Sequence, residues 1–149
     1  MEKEGLNTGL KTNKMKNLKI FWLLSAMLLF SCTEKGPKEI AIGKDQCDNC
    51  KMTITEAKYA TQLITEKGKT YKFDDIRCMD DYASSNPDQS SGSTTYVVDF
   101  PTGDFIKTQN ASLIKGGSIK SPMGGNTQAY SDKSAANEAA EQSGAEIIQ

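Results

Sequence analysis

The sequence predicts an α+β domain with mostly antiparallel strand pairing. Three observations carry this. Residues 59–73 read as two extended segments around Lys67-Gly68-Lys69. Residues 94–107 do the same around Pro101-Thr102-Gly103. Two helical segments each follow an aspartate that can cap them. Hairpins followed by helices, rather than strands alternating singly with helices, belong to the α+β class.

Strand character runs from Met52 to Thr65 and is clearest over Tyr59–Thr65. Thr70-Tyr71-Lys72-Phe73 alternates polar and aromatic, as a half-buried strand does, and completes a hairpin. Asp74 or Asp75 can cap the helix that follows, where Ile76, Met79 and Tyr82 or Ala83 share one face. Asn86-Pro87 ends it, and Asp88–Ser93 is a polar loop. Thr94–Phe100 is a strand, returned by Asp104–Lys107 after the Pro-Thr-Gly turn. Gly116-Gly117 and Ser121-Pro122 punctuate a long connection to a short strand, Thr127–Tyr130. Ser131 or Asp132 caps a helix from Lys133 to Ser143, Gly144 stops it, and Ala145–Ile148 is a last strand. The order suggests two hairpin-plus-helix halves.

Ahead of this domain lies a charged segment with Lys14, Lys16 and Lys19, then an apolar run of 11 residues, Ile20–Phe30. At about 1.5 Å per residue that run cannot cross a hydrocarbon layer about 30 Å thick. It reads as a secretory signal over residues 1–31, with Met15 a more typical start than Met1. Leu29-Phe30-Ser31-Cys32 resembles a bacterial lipobox, which implies cleavage before Cys32 and lipid on its thiol. Residues 32–43 then form a tether and 44–149 the domain. The expected location is the cell envelope, facing the periplasm from a membrane anchor. Residues 1–31 hold five lysines and two glutamates, so the remainder keeps 13 basic and 17 acidic residues, a net of −4. Such a chain offers no electrostatic footprint for nucleic acid.

The chemistry concentrates in Cys47-Asp48-Asn49-Cys50-Lys51-Met52, in a chain with no histidine. Thiolate and thioether are soft donors that select Cu(I), with zinc as the main competitor. A Cys-x-x-Cys alone also serves redox chemistry. With Cys32 lipidated, Cys47, Cys50 and Cys78 remain, an odd number that cannot all pair within one chain. Met52, Met79 and Met123 are the methionines of the mature part. Met79 has the spacing of a core residue. Met123, in Ser121-Pro122-Met123-Gly124-Gly125, sits on a loop and is either a ligand or a gap-filler. In an extended Cys50-Lys51-Met52 both sulfurs face one way, so Met52 is either a second donor or a core strand residue. Asp74-Asp75 and Asp80-Asp81 read as helix cap and solvated face, and no catalytic constellation stands out, so no enzyme activity is expected.

Four blocks in order carry a more specific resemblance. Cys47–Met52 looks like the Cys-x-x-Cys-Gly-Met of the NosL family, nitrous oxide reductase accessory lipoproteins, with Lys51 in place of the usual Gly. Phe73-Asp74-Asp75-Ile76-Arg77-Cys78-Met79 is similar to that family's Phe-Asp-Asp-x-x-Cys-Met. Tyr96–Phe100 and Ser121-Pro122-Met123-Gly124 match its later blocks. The resemblance covers roughly residues 44–148. It implies a membrane-anchored Cu(I) chaperone serving nitrous oxide reductase or its copper-loading transporter complex, and allows a metal-linked dimer. It also implies two ββα-type halves similar to the metal-binding domain of organomercurial lyase. On this analogy Cys50 and Met123 lead as ligands, followed by Met52 and Cys47. Cys78 and Met79 are read first as buried and structural and only second as metal ligands, and Asp99 is an outside candidate for an oxygen ligand. The competing readings are a thiol–disulfide protein using Cys47 and Cys50, and a zinc-stabilised binding module.

Overall fold

In the computed structural model, which describes residues 36–149, two antiparallel sheets and two principal helices build the α+β fold. The expected signal peptide at 1–31 and the lipidated Cys32 lie outside the described residues. Among the described residues no helix is long and apolar enough to cross a membrane.

The first sheet has the order β2-β1-β3-β4, built from Thr61–Ile64 (β1), Thr70–Phe73 (β2), Thr94–Val98 (β3) and Phe105–Lys107 (β4). Leu63 faces Tyr71 across the β1–β2 hairpin and Thr95 across the β1–β3 pair. All four residues of β1 are buried, including Gln62. A buried amide must find partners, and Gln62 takes both from Lys38: its Oε1 accepts the Lys38 N–H at 2.9 Å and its Nε2 donates to the Lys38 carbonyl at 2.5 Å. The part of the expected tether that is described, residues 36–43, is therefore docked on the domain, and Ile40 packs against its core.

Helix α1 (Ile76–Ser85) lies against β1 and β2. Asp75 caps it, accepting the Arg77 N–H at 2.9 Å, as Asp at this position does to satisfy a free first-turn donor. The core here joins Ile54, Leu63, Tyr71, Phe73, Met79, Cys47 and Cys78. Met79 is 2% exposed, as its helical spacing predicts. Where the sequence suggests a loop over Asp88–Ser93, a short helix, α2 (Pro87–Ser90), comes first. Pro87 stands at its start, where a proline's missing N–H costs nothing. Ala57–Tyr59 is a 3-10 turn, so the strand expected from Tyr59 begins only at Thr61.

The second sheet has the order β6-β5-β7, from Ser112–Lys115 (β5), Thr127–Tyr130 (β6) and Glu146–Ile147 (β7). Helix α3 (Lys133–Ser143) packs on it, capped by Asp132 and stopped by Gly144 at φ 67°, as expected. The central strand, β5, is the element the sequence hides inside its long connection. The second ββα half is therefore β5-β6-α3, while the β3–β4 hairpin extends the first sheet. Val97, Ala111, Leu113 and Ala129 form the apolar contact between the sheets.

Candidate metal centre

Cys47 to Met52 is a closed turn. The Lys51 N–H donates to the Cys47 carbonyl at 2.9 Å, and the Cys47 N–H donates to the Met52 carbonyl at 2.8 Å. Closing it puts Lys51 at φ 64°, in the left-handed region that glycine adopts without strain. The segment is thus not extended, and the alternation that would set the Cys50 and Met52 sulfurs on one face is absent. Met52 is instead 56% exposed.

The turn delivers Cys47 and Cys50 to the first turn of α1, where Cys78 sits. The Sγ atoms of Cys47, Cys50 and Cys78 all lie within 4.8 Å of one another, and all three thiols are free. A trigonal metal with sulfurs at about 2.3 Å sets them about 4.0 Å apart, so the three need only small adjustments to share one ion. Cys47 and Cys78 are buried and Cys50 is half-buried, so the cluster meets solvent on the Cys50 side. Cys78, expected in the core, is in the core, and its thiol also joins the other two. That meeting depends on how α1 packs on the first sheet, and no local sequence signal encodes it.

The surroundings prepare the sulfurs unequally. Burial pushes the Cys47 thiol up, but the backbone N–H groups of Asp74, Cys50 and Asn49 and the Cys50 thiol outweigh it, leaving Cys47 below the ordinary thiol range. Hydrogen bonds to a thiolate favour it over the thiol. Cys78 moves the other way, raised by burial first and by the neighbouring Cys47 and Cys50 next. Asp74 is also pushed up, chiefly by burial, while its carboxylate accepts the Thr55 N–H at 3.3 Å.

Met123 is half-buried and packs, as Cys50 does, against the core cluster that contains Cys47 and Cys78. Asp75, read from sequence only as a cap, fixes its loop. Asp75 Oδ2 accepts from Ser121 Oγ at 2.5 Å, from the Met123 N–H at 3.1 Å and from the Gly125 N–H at 3.2 Å. A Cβ on Gly125 would lie 2.1 Å from Asp75 Oδ1, so only glycine lets the loop come this close. Asp99 is buried elsewhere, accepting from Thr102 Oγ1 at 2.7 Å and the Ser131 N–H at 2.6 Å, where it ties the Pro101-Thr102-Gly103 turn to the end of β6.

The NosL family model matches residues 39–149, nearly the whole described chain. The chain belongs to the NosL family. The copper chaperone NosL from Shewanella denitrificans shares its fold, with a TM-score of 0.65 at 22% identity, over 76% of this chain and 92% of that one. No curated protein sequence matches the chain. Lys51, which stands where the resembling motif carries Gly, now has a physical meaning: the turn of this chain needs a left-handed residue there, and it is supplied by a lysine whose Nζ donates back to the Asp48 carbonyl at 2.6 Å.

Proposed function

We propose that this NosL protein is a membrane-anchored Cu(I) metallochaperone that delivers copper to an exported cuproenzyme, namely nitrous oxide reductase or the transporter complex that loads it. The observation that carries this is the three-sulfur cluster of Cys47, Cys50 and Cys78, with Met123 packed on the same core, in a histidine-free chain. An all-sulfur donor set suits Cu(I), which accepts two or three soft ligands. Cys50, at the solvent edge, is where an acceptor's own thiol or thioether can bind before the donor sulfurs leave. Copper is here the cargo. Export and anchoring rest on the Ile20–Phe30 segment and Cys32.

Three thiolates also suit zinc, so the test sets the two metals against each other. Anaerobic titration against a chromophoric Cu(I) chelator should show one tightly held Cu(I), retained in the presence of excess Zn(II). The Cys50→Ser, Met123→Leu double variant should lose at least tenfold in affinity. Parent-like Cu(I) binding by that variant, or displacement of Cu(I) by zinc, would overturn the reading. For delivery, the copper-loaded protein should transfer metal to copper-free nitrous oxide reductase only when the membrane transporter is present or the two are in direct contact. Mass spectrometry of the Cys32 peptide tests the lipid.

A further inference from the structure

Asp75 stands between two sources of sulfur. On one side it caps α1, the helix that carries Cys78 in its first turn. On the other it gathers the Met123 loop, although Ser121, Met123 and Gly125 are remote in sequence. The carboxylate is 1% exposed, and its two oxygens accept from four donors: Arg77 N–H, Ser121 Oγ, Met123 N–H and Gly125 N–H.

The loop is built around this carboxylate. Ser121 Oγ, while donating to Asp75, accepts the Asn126 N–H at 2.7 Å, and Asn126 Oδ1 accepts the Ser121 N–H at 3.2 Å. Gly124 at φ 73° and Asn126 at φ 49° bend the chain so that the N–H groups turn inward. Arg77 Nη1 reaches the Met123 carbonyl at 3.4 Å, so the Met123 backbone is held at both its N–H and its carbonyl by the start of α1. Helix capping alone needs one oxygen. The other three donors on Asp75 do no work for the helix, and they all come from the segment that carries the thioether.

We infer that Asp75 is a positioning residue that registers the Met123 thioether to the three-thiol cluster. The inference rests on the copper reading above. Asp75 touches no metal; it acts by locking the loop to the helix that also holds Cys78. Residues that orient metal ligands commonly change metal affinity by about 10–100-fold when altered.

The test is a double-mutant cycle on the full chain, read as Cu(I) affinity by anaerobic chelator competition. Asp75→Asn keeps the size of the side chain and an oxygen for the Arg77 N–H, but sets an NH2 group against the loop donors. Met123→Leu removes the thioether. Each single variant should lose about tenfold or more in affinity. The double variant should be no weaker than the weaker single, because once the loop is unlocked the thioether has nothing left to contribute. Additive losses would overturn the inference, and so would a Met123→Leu variant that binds like the parent. Ser121→Ala removes one donor and leaves the helix cap intact. It should show a smaller loss that vanishes in the Met123→Leu background, and it carries the cycle should Asp75→Asn not fold. Failure of the copper reading looks different: Cys50→Ser would then leave Cu(I) binding unchanged, or the parent would not hold Cu(I) at all.

Discussion

Asp48 and Lys72 hold each other across the edge of the first sheet. The Lys72 N–H donates to Asp48 Oδ2 at 2.7 Å, and the Asp48 N–H donates to the Lys72 carbonyl at 2.8 Å. This pair fastens the cysteine turn to β2, two residues before Asp74, whose N–H points at the Cys47 sulfur. Asp48→Ala removes one arm and leaves a backbone N–H without its charged acceptor. A loss of about 1–2 kcal/mol in unfolding free energy is expected, together with a several-fold weaker hold on Cu(I). Urea denaturation and chelator competition on the same variant check both. An unchanged affinity would mean that the turn keeps its shape by its internal hydrogen bonds alone.

Lys51 sits in the left-handed region at φ 64°. An L residue with a Cβ is strained there by about 1–2 kcal/mol, and glycine is not. Glycine also gains freedom in the unfolded chain, which offsets part of the relief. Lys51→Gly should therefore raise stability by up to about 1 kcal/mol, and Lys51→Val, with a branched Cβ, should lower it. Thermal denaturation of the two variants gives opposite shifts from the parent.

The raised Cys78 thiol makes the metal-free protein sensitive to alkali. Its folded pKa lies above that of an unfolded cysteine, about 8.5, so the folded state holds the proton more tightly. The corresponding stability is fully present below pH about 8.5 and is lost as the pH rises above it. Denaturation of the metal-free protein above pH about 8.5 should show this decline, and Cys78→Ser should reduce it. Metal binding should reverse the trend. A metal displaces the proton, so apparent Cu(I) affinity should climb with pH over the same range, more steeply for the parent than for Cys78→Ser.

Asp99 gives the opposite dependence. Burial raises it, but the Thr102 hydroxyl and the Ser131 N–H more than compensate, and the carboxyl lies below the usual carboxylate range. Its contribution is present above the unfolded value of about 3.9 and is lost as the pH falls through the folded one. Asp99→Asn should destabilise the protein at pH 7 and flatten its acid denaturation curve, with the Cu(I) affinity unchanged. A loss of copper binding in this variant would tie the Asp99 turn to the metal centre.

The parts of this fold that were legible in sequence are those with local signals. Lys67-Gly68-Lys69 marks the first hairpin, Asp74-Asp75 and Ser131-Asp132 mark the helix starts, and Gly144 ends the last one. Strand β5 carries only Leu113-Ile114 between polar and glycine neighbours, too short a run to show a period. Its place at the centre of a sheet comes from pairing with β6 and β7, which is information held elsewhere in the chain. The centre divides in the same way. Cys47 and Cys50 announce themselves by spacing. Lysine, a residue that seldom adopts the left-handed region, conceals the turn that takes Met52 out to solvent. Cys78 joins the others only through helix packing. Asp75 looks like an ordinary cap until the loop around Met123 is seen to close on it.

Cys47 and Cys78 are separated in the chain by the whole β1–β2 hairpin, and their sulfurs meet only when α1 has docked on that sheet. An unfolded chain can present no more than the Cys47-x-x-Cys50 pair. Metal held by three sulfurs is therefore a certificate of completed folding. A copy that has misfolded, or has yet to fold, would compete poorly for copper and would withdraw little from the supply available to finished molecules.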